Sequence, residues 1–316
     1  MAAATTTNSA GELIVQGALS LDNTATTRIF IGGTTAGSGF SQIAQHGTSS
    51  VALNGTLDVS FTNGFQNTIR NSDTFNILTS NNTVTGAFSN VASGNRVTTS
   101  DGIGSFLVTY AGQKTVILSD FLPSVSVSSV VSRQSPKNVN LDIPLNLTGN
   151  YTIECRRGGP APGGTYQVVF TFAYPLTNAP ATSATGTYTS TASSFGADQT
   201  TWVVNLAGVT NEQVLGITLS NVNDTQNEHS DSIAVQMGIL IGDATGGRDA
   251  NGNPVVSSAD VSFVKAHSGK AATPGDLGTI RADVTADGVV NSADVSLTKS
   301  KSGTGITSGT GAPVHR

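Results

Sequence analysis

The stretch DVTADGVVNSAD, residues 283–294, places oxygen-bearing side chains at regular positions of a twelve-residue loop. Positions 1, 3, 5, 9 and 12 are taken by Asp283, Thr285, Asp287, Asn291 and Asp294. Gly288 stands at position 6, where the chain must turn sharply, and the backbone carbonyl of Val289 at position 7 offers one more oxygen. Ca²⁺ takes about six to eight oxygen ligands in loops of this spacing. The stretch, called loop two below, therefore predicts a calcium-binding site.

A second copy of the pattern, called loop one, lies 34 residues upstream in DANGNPVVSSAD, residues 249–260. Its predicted ligands are Asp249, Asn251, Asn253, the Val255 carbonyl, Ser257 and Asp260. Each loop leads into a near-copy of one segment, SADVSFVKAHSG from Ser258 and SADVSLTKSKSG from Ser292, identical at eight of twelve positions. Repetition of this kind indicates an internal duplication. The helical spacing of the apolar residues predicts one helix after each loop.

Loop one departs from the pattern at Pro254, which stands where Gly288 stands in loop two. The proline ring holds φ near about −65° and cannot supply the positive φ that this position normally uses. The preceding segment GDATGGR offers Asp243 and Thr245 as substitute ligands of a lengthened loop. The sequence leaves both ligand sets open, beside the plainer alternative of Asp- and Asn-rich turns that bind no metal.

Residues 241–303 resemble a pair of type I dockerin repeats, since both loops end in Asp and each is followed by a helix but lacks the entering helix of an ordinary EF-hand. The resemblance implies a calcium-folded module, called the dockerin-like region below, and a cohesin-like protein partner. Partner choice in dockerins rests largely on loop positions 10 and 11. These are Ser258 and Ala259 in loop one and Ser292 and Ala293 in loop two, so only half of the hydroxyl pair typical of cellulosomal dockerins is present.

The composition predicts a mainly β protein. Charged residues make up 11% of the 316 residues, aromatic residues 6%, and glycine occurs 36 times. β-branched residues alternating with frequent turn formers are typical of short strands. The formal net charge of −5 argues against a nucleic-acid partner and is compatible with binding of divalent cations.

Residues 1–121 predict a β-solenoid or β-helix-like domain, because short alternating segments such as RIFIGG, LNGTLDVSF and KTVILSD are separated by clusters of Gly, Asn, Ser and Thr. Their order resembles the last coils of the β-helical passengers of autotransporters and of secreted bacterial proteins. A solenoid cannot bury its own end. No charged side chain precedes Glu12 to protect that edge, so stacking on another subunit is one expected solution.

Residues 122–240 contain about seven alternating segments and predict an immunoglobulin-like β-sandwich. We expect the following aromatic residues in or near its core: Phe170, Phe172, Tyr174 and Trp202. The alternative is a sugar-stacking platform made of Trp202 with Tyr151, Tyr166 and Tyr188. Residues 241–316 complete the chain as a small α-helical, calcium-binding domain of EF-hand-like loops and a tail.

The sequence predicts no enzyme. The four histidines, His46, His229, His267 and His315, are scattered and lack metal-binding spacing. The acidic residues Asp58, Asp73 and Asp101 of the first domain are isolated, whereas polysaccharide cleavage needs paired carboxylates. Cys155 is the single cysteine, which excludes an intrachain disulfide, and we expect it to be an inert buried thiol.

The favoured hypothesis is a secreted or cell-surface structural protein of bacterial type, a calcium-stabilised subunit of a surface layer, adhesive fibre or filament. It would associate with itself, with glycans as a further ligand class. The alternatives are a dockerin-mediated interaction module that binds a cohesin-like partner, and a carbohydrate-binding or carbohydrate-active protein that carries a dockerin. We expect no membrane span, and the first ten residues show no secretory signal.

Overall fold

Strands dominate the computed structural model, which describes residues 9–148, 150–159 and 164–307. The chain divides into two units, one formed by Met1–Val125 with Asn227–Asp231 and the other by Ser126–Gln226 with Ser232–Arg316. Residues 1–8 of the predicted solenoid, and residues 308–316 of the predicted tail with His315, lie outside the described residues. The mainly β prediction and the small helical C-terminal region are confirmed. The division into three domains stays a prediction.

The first unit is built from short strands. They are β1 (Glu12–Val15), β2 (Leu19–Ser20), β3 (Thr26–Ile31), β4 (Gln42–Gln45), β5 (Val51–Leu53), β6 (Thr56–Phe61), β7 (Phe75–Ser80), β8 (Val84–Gly86), β9 (Arg96–Thr98), β10 (Gly104–Ala111) and β11 (Thr115–Pro123). A single 3₁₀ turn, Phe65–Asn67, lies between β6 and β7 in the described part.

Parallel pairing characterises the first half of this unit. Strand β1 pairs with β4 and β4 with β7, strand β2 pairs with β5 and β5 with β8, and strand β3 pairs with β6. Glu12 opposes Gln42 and Thr26 opposes Thr56, so equivalent strands recur after 30 residues in these ladders. Strands β7, β11, β10 and β9 then continue one sheet in antiparallel order. The assignment of this unit to a β-solenoid stays a prediction.

Phenylalanine rings fill the centre of the first unit. Phe75, Phe106 and Phe121 are all buried. The Phe106 ring centroid lies 5.8 Å from that of Phe75, edge to face, and 5.0 Å from that of Phe121. Such pairs add about 0.5–1.5 kcal/mol to the stabilisation from burial alone.

The second unit contains two sheets. Its strands are β12 (Val127–Gln134), β13 (Leu141–Pro144), β14 (Thr152–Glu154), β15 (Gly164–Phe172), β16 (Ala181–Thr185), β17 (Ser190–Phe195), β18 (Thr201–Val209), β19 (Gln213–Asn223) and β20 (His229–Ile239), whose first residues belong to the first unit. The sheet orders are β13-β12-β15-β18-β17 and β14-β20-β19-β16. A 3₁₀ turn, Pro136–Asn138, joins β12 to β13. The immunoglobulin-like assignment stays a prediction.

Three of the four aromatic residues that the sequence places in or near the core of the second unit are buried. Phe170, Phe172 and Trp202 are buried, and the Trp202 indole N–H donates to the Thr182 hydroxyl of the other sheet at 3.0 Å. A buried indole whose N–H is already bonded cannot serve as an open sugar-stacking surface, so that alternative was wrong for Trp202. Tyr174 is 43% exposed, against expectation, because it lies beyond the end of β15.

Three α-helices follow the sheets in the described part of the chain: α1 (Ser258–His267), α2 (Leu277–Ala282) and α3 (Ser292–Ser300). Helices α1 and α3 begin directly after Ser257 and Asn291, whose side chains accept the backbone N–H of Ala259 and Ala293. Each also forms a capping box with the Asp at its third position. None of the helices in the described ranges is long and apolar enough to cross a membrane.

Candidate calcium-binding loops

Loop two connects the end of α2 to the first turn of α3. Its first and last predicted ligands, Asp283 and Asp294, are both fully buried. Thr285 donates to Asp294 Oδ1 through its backbone N–H at 2.8 Å and through its hydroxyl at 2.9 Å. The backbone N–H of Asn291 donates to the other oxygen, Asp294 Oδ2, at 2.8 Å. These contacts fold the loop around the two carboxylates.

The turn of loop two is closed by the Asp283 carboxylate, which accepts the backbone N–H of Asp287 at 3.1 Å and of Gly288 at 2.8 Å. Gly288 has φ +92°, the left-handed conformation that the sequence pattern requires at position 6. Burial raises the pKa of Asp283, and the charges of Asp294 and Asp287 raise it further, against the lowering by the backbone N–H groups. A divalent cation would neutralise this crowded negative charge.

Loop one forms a similar arrangement around Asp260, but with a different first residue. Thr245 donates to Asp260 Oδ1 through its backbone N–H at 2.9 Å and its hydroxyl at 2.7 Å. The backbone N–H of Ser257 donates to Asp260 Oδ2 at 2.7 Å. Thr245 thus makes the contacts that Thr285 makes in loop two.

Asp243 lies beside Asp260 and is also fully buried. Its Oδ1 accepts the backbone N–H of Gly246 at 2.8 Å and of Gly247 at 3.1 Å. Its Oδ2 is buried and has no hydrogen-bond partner among the described residues. Burial raises the pKa of Asp243 to about 7, and the nearby charge of Asp260 adds to the rise.

Asp249, the predicted first ligand of loop one, lies elsewhere. It is exposed, and its Oδ1 accepts the backbone N–H of Asn251 at 2.8 Å and of Asn253 at 2.9 Å. The hydrogen bond from the Asn253 backbone, with others in the same turn, lowers the pKa of Asp249. The structure therefore brings Asp243, Thr245 and Asp260 together and holds Asp249 in a separate turn. The ligand assignment of both loops stays a prediction.

The two loop–helix copies pair crosswise. Val289 of loop two forms a β-bridge with Ala271 after α1, and Val255 of loop one forms a β-bridge with Gly305 after α3. A small apolar cluster lies between them, formed by Ala244, Val264, Ala282, Val284 and Val290. Each loop is therefore supported by the segment that follows the helix of the other copy.

Arg281 connects the dockerin-like region to strand β14 of the second unit. Its guanidinium donates to the carbonyls of Ala244 at 2.7 Å, of Asp243 at 2.8 Å and of Ile153 in β14 at 3.0 Å. The backbone N–H of Arg157 donates to the Val284 carbonyl of loop two at 2.7 Å. The apolar core is shared as well, since Ile153 and Leu141 lie in one buried cluster with Val256 and Ile280.

A buried ion pair lies next to this junction and was not predicted from the sequence. Glu154 and Arg156 are both fully buried, with a shortest nitrogen–oxygen distance of 2.7 Å. Arg156 also donates to the carbonyls of Leu141 at 2.7 Å and Ser132 at 3.0 Å. Burial raises the pKa of Glu154, but the charge and hydrogen bonds of Arg156 outweigh it, so that the net shift is downward.

Cys155 follows the expectation of a buried thiol. It is fully buried, and its Sγ donates to the Arg281 carbonyl at 3.4 Å. Burial raises the pKa of the thiol to about 11. A thiol that stays protonated in this way is a poor nucleophile.

The donor chemistry of the loops fits Ca²⁺. Within the described ranges, no three His, Cys, Asp or Glu side chains gather as a metal cluster. The buried carboxylates of Asp260 and Asp294 instead lie next to threonine hydroxyls, and carboxylate and hydroxyl groups supply the hard oxygen ligands that Ca²⁺ prefers. Asp243 Oδ2, buried and without a partner, is the kind of oxygen that a bound cation would satisfy.

These features define a paired calcium-loop module of EF-hand type, and comparison with known families agrees. Residues 247–301 match the family model described as "Dockerin type I domain". Type I dockerin domains bind calcium through EF-hand-like loops, so calcium is the cofactor of this region, and a dockerin implies a cohesin partner. No curated protein and no solved structure matches the chain. The resemblance of the first domain to autotransporter passengers finds no support in these comparisons.

Proposed function

We propose that this chain is an extracellular protein whose dockerin-like region attaches its β-rich body to a cohesin-type partner. The observation that carries the proposal is the pair of loop–helix copies, each folded around buried carboxylates, at the place where the dockerin model matches. Calcium would hold each loop against its helix and so fix the relative positions of α1 and α3.

The exposed start of each helix is the surface that we propose for the partner. Ser258 and Ala259 of α1 are exposed, and so are Ser292 and Ala293 of α3. Their side chains are small, so a partner could approach the first turn of each helix closely. Because the two copies present the same residues, a partner could use either one.

Calorimetric titration with type I cohesin domains tests this function. We expect binding in millimolar Ca²⁺ that is lost in excess EGTA. The double variant Ala259→Arg with Ala293→Arg should abolish binding, because it blocks both copies. The control Thr191→Arg with Ser193→Arg adds the same charge to the exposed strand β17 and should leave binding unchanged. If no cohesin domain of a representative panel binds, or if the double variant binds normally, the proposed attachment is wrong.

We further propose that the described part of the chain is not catalytic. In support, His229 Nε2 lies 2.9 Å from Asp231 Oδ1 in the first unit. In the second unit, the centroid of the His267 ring lies 4.5 Å from that of the Phe263 ring. These two histidines thus lie in different surroundings.

A structural role as a polymer subunit is the second candidate, and one surface favours it. Strand β1 is the outermost strand of its sheet in the described residues, and its Leu13 and Ile14 are 44% and 52% exposed. The recurrence of parallel strands after about 30 to 35 residues supports a β-solenoid whose end could stack on another copy. Sedimentation velocity in millimolar Ca²⁺ should then show large species, and Leu13→Lys with Ile14→Lys should dissolve them. A monomer at all concentrations would exclude this role.

A further inference from the structure

We infer that loop one binds calcium as an extended loop, residues 243–260, in which Asp243 rather than Asp249 is the first ligand. The inference rests on the calcium-dependent function proposed above and assigns residues that precede the matched segment, which begins at residue 247. Four independent features of the chain support it.

The extended loop has the same twelve-residue length as loop two when six of its residues are omitted. Without RDANGN, residues 248–253, the loop reads DATGGPVVSSAD and again has twelve residues. It then agrees with loop two, DVTADGVVNSAD, at seven positions, whereas the stretch that starts at Asp249 agrees at six. The additional identity is a threonine at position 3, Thr245 matching Thr285.

The six residues form an excursion that closes at its own base. The backbone N–H of Val255 donates to the Gly247 carbonyl at 3.1 Å, directly across the excursion. Within it, the N–H of Asp249 donates to the Asn253 carbonyl at 2.8 Å, and Gly252 turns the chain with φ +81°. Asp249 therefore has a structural role inside the excursion, where it caps the turn.

The contacts of Thr245 reproduce those of Thr285. In loop one the N–H and hydroxyl of Thr245 both donate to Asp260 Oδ1, and in loop two the same two groups of Thr285 donate to Asp294 Oδ1. Asp243 likewise accepts backbone N–H groups three and four residues ahead, as Asp283 accepts those four and five ahead. Asp243 thus takes the place that Asp283 takes in loop two.

One oxygen of the buried Asp243 carboxylate lacks a hydrogen-bond partner among the described residues. Asp243 is 0% exposed, and its Oδ2 accepts no hydrogen bond from the described residues. Burial of a charged oxygen without a partner is costly, and native proteins rarely leave one in that state. A cation held between Asp243 and Asp260 would satisfy this oxygen.

The inferred ligands of the extended loop are Asp243, Thr245, the Val255 carbonyl, Ser257 and Asp260. Gly247 falls at position 5, where loop two carries Asp287, so the extended loop offers two carboxylates and loop two offers three. Calcium affinity in such loops increases with the number of charged ligands. We therefore expect loop one to be the weaker of two calcium sites.

Calcium titration of the decalcified full chain by calorimetry tests the inference with the matched variants Asp243→Asn and Asp249→Asn. We expect two calcium equivalents for the wild type and for Asp249→Asn. For Asp243→Asn we expect a single, tighter equivalent, and for Asp283→Asn a single, weaker one. Retention of two equivalents by Asp243→Asn, or loss of one in Asp249→Asn, would overturn the inference. A wild type that binds no calcium would instead refute the proposed function.

Deletion of residues 248–253 provides a second test, which remains valid if Asp243→Asn disturbs folding. Because Gly247 and Val255 are already hydrogen-bonded across the excursion, the deleted chain can close without displacing Asp243. The deletion variant should retain both calcium equivalents and the far-ultraviolet circular dichroism of the wild type. If Asp249 were a ligand, the deletion would remove one equivalent, which would contradict the inference.

Discussion

At the scale of single residues, two ion pairs of the second unit differ mainly in burial. Arg156 and Glu154 are fully buried, whereas Arg133 and Asp142, also 2.7 Å apart, have side chains 26% and 31% exposed. Removal of one partner from a buried pair leaves an uncompensated charge in a medium that cannot solvate it. Water can solvate the remaining partner of the partly exposed pair.

Glu154→Gln should therefore destabilise the second unit far more than Asp142→Asn. We expect about 3–5 kcal/mol for Glu154→Gln, because it leaves the Arg156 guanidinium buried and charged. For Asp142→Asn we expect about 1 kcal/mol or less. Urea unfolding followed by tryptophan fluorescence measures both, since Trp202 is the single tryptophan. Equal losses for the two variants would show that burial does not decide the contribution of these pairs.

Gly288 gives a second prediction at this scale, based on its φ of +92° in loop two. Gly288→Ala should cost about 1–2 kcal/mol through backbone strain and should weaken calcium binding at loop two. Gly275→Ala is the matched control, because Gly275 has φ +85° but lies outside both loops. Calorimetry should show unchanged calcium affinity in the control, and an equal loss of affinity in both variants would speak against a role of this turn in the site.

The sequence predicted the residues of loop two better than it predicted Asp243 or the buried ion pair nearby. The regular spacing from Asp283 to Asp294 revealed loop two, because all of its oxygens lie within twelve consecutive residues. The place of Asp243 was left open, since the six-residue excursion separates it from the rest of its loop. The Glu154–Arg156 pair was missed because the charged residues of the segment TIECRRGG do not indicate whether that segment is buried.

At the scale of elements, two of the three described helices were predicted from the sequence and one was not. Helices α1 and α3 were predicted because apolar residues recur at helical spacing after each loop. Helix α2 was missed, since six residues, LGTIRA, are too few to show a helical period. Its position nevertheless matters, because it carries Arg281, whose guanidinium donates to the carbonyls of Ala244 and of Ile153 in β14.

Arg281→Met gives the prediction at this scale. The variant keeps the apolar stem and removes three hydrogen bonds to the carbonyls of Ile153, Asp243 and Ala244. We expect a loss of about 2–4 kcal/mol in unfolding free energy, because buried carbonyls would be left unsatisfied. The exposed Arg248, which donates to the Gly252 carbonyl of the excursion, offers the control variant Arg248→Met with a loss below about 1 kcal/mol. A similar loss in both variants would argue against a special role of Arg281.

At the scale of the whole molecule, the two units should respond differently to calcium. The dockerin-like region shares a buried core and backbone hydrogen bonds with the strands of the second unit, to which it also belongs. Because the loops would lose their cross-linking cation, the disturbance should reach β14 and the Glu154–Arg156 pair. Composition and turn signals predicted a mainly β chain, but contacts between distant segments such as Ile153 and Arg281 cannot be read from local patterns.

Hydrogen–deuterium exchange before and after addition of EGTA tests this expectation. Chelation should speed amide exchange in residues 241–303 and also in β14, Thr152–Glu154. The strands of the first unit, such as β10 and β11, should exchange at the same rate in both conditions and serve as the internal control. Faster exchange confined to residues 241–303 would show that the strands of the second unit are independent of the calcium loops.

The junction at Arg281 also has a mechanical consequence. Tension applied to the dockerin-like region would pass through Arg281, and through the bond from Arg157 to Val284, into β14. Strand β14 lies parallel to β20, with Ile153 opposite Gly238. A pull along two parallel strands loads the hydrogen bonds between them in shear. These bonds then bear the force together and do not break one after another. The surface proposed above for a partner is therefore joined to the strands of the second unit by hydrogen bonds that share the load whenever the pull runs along β14.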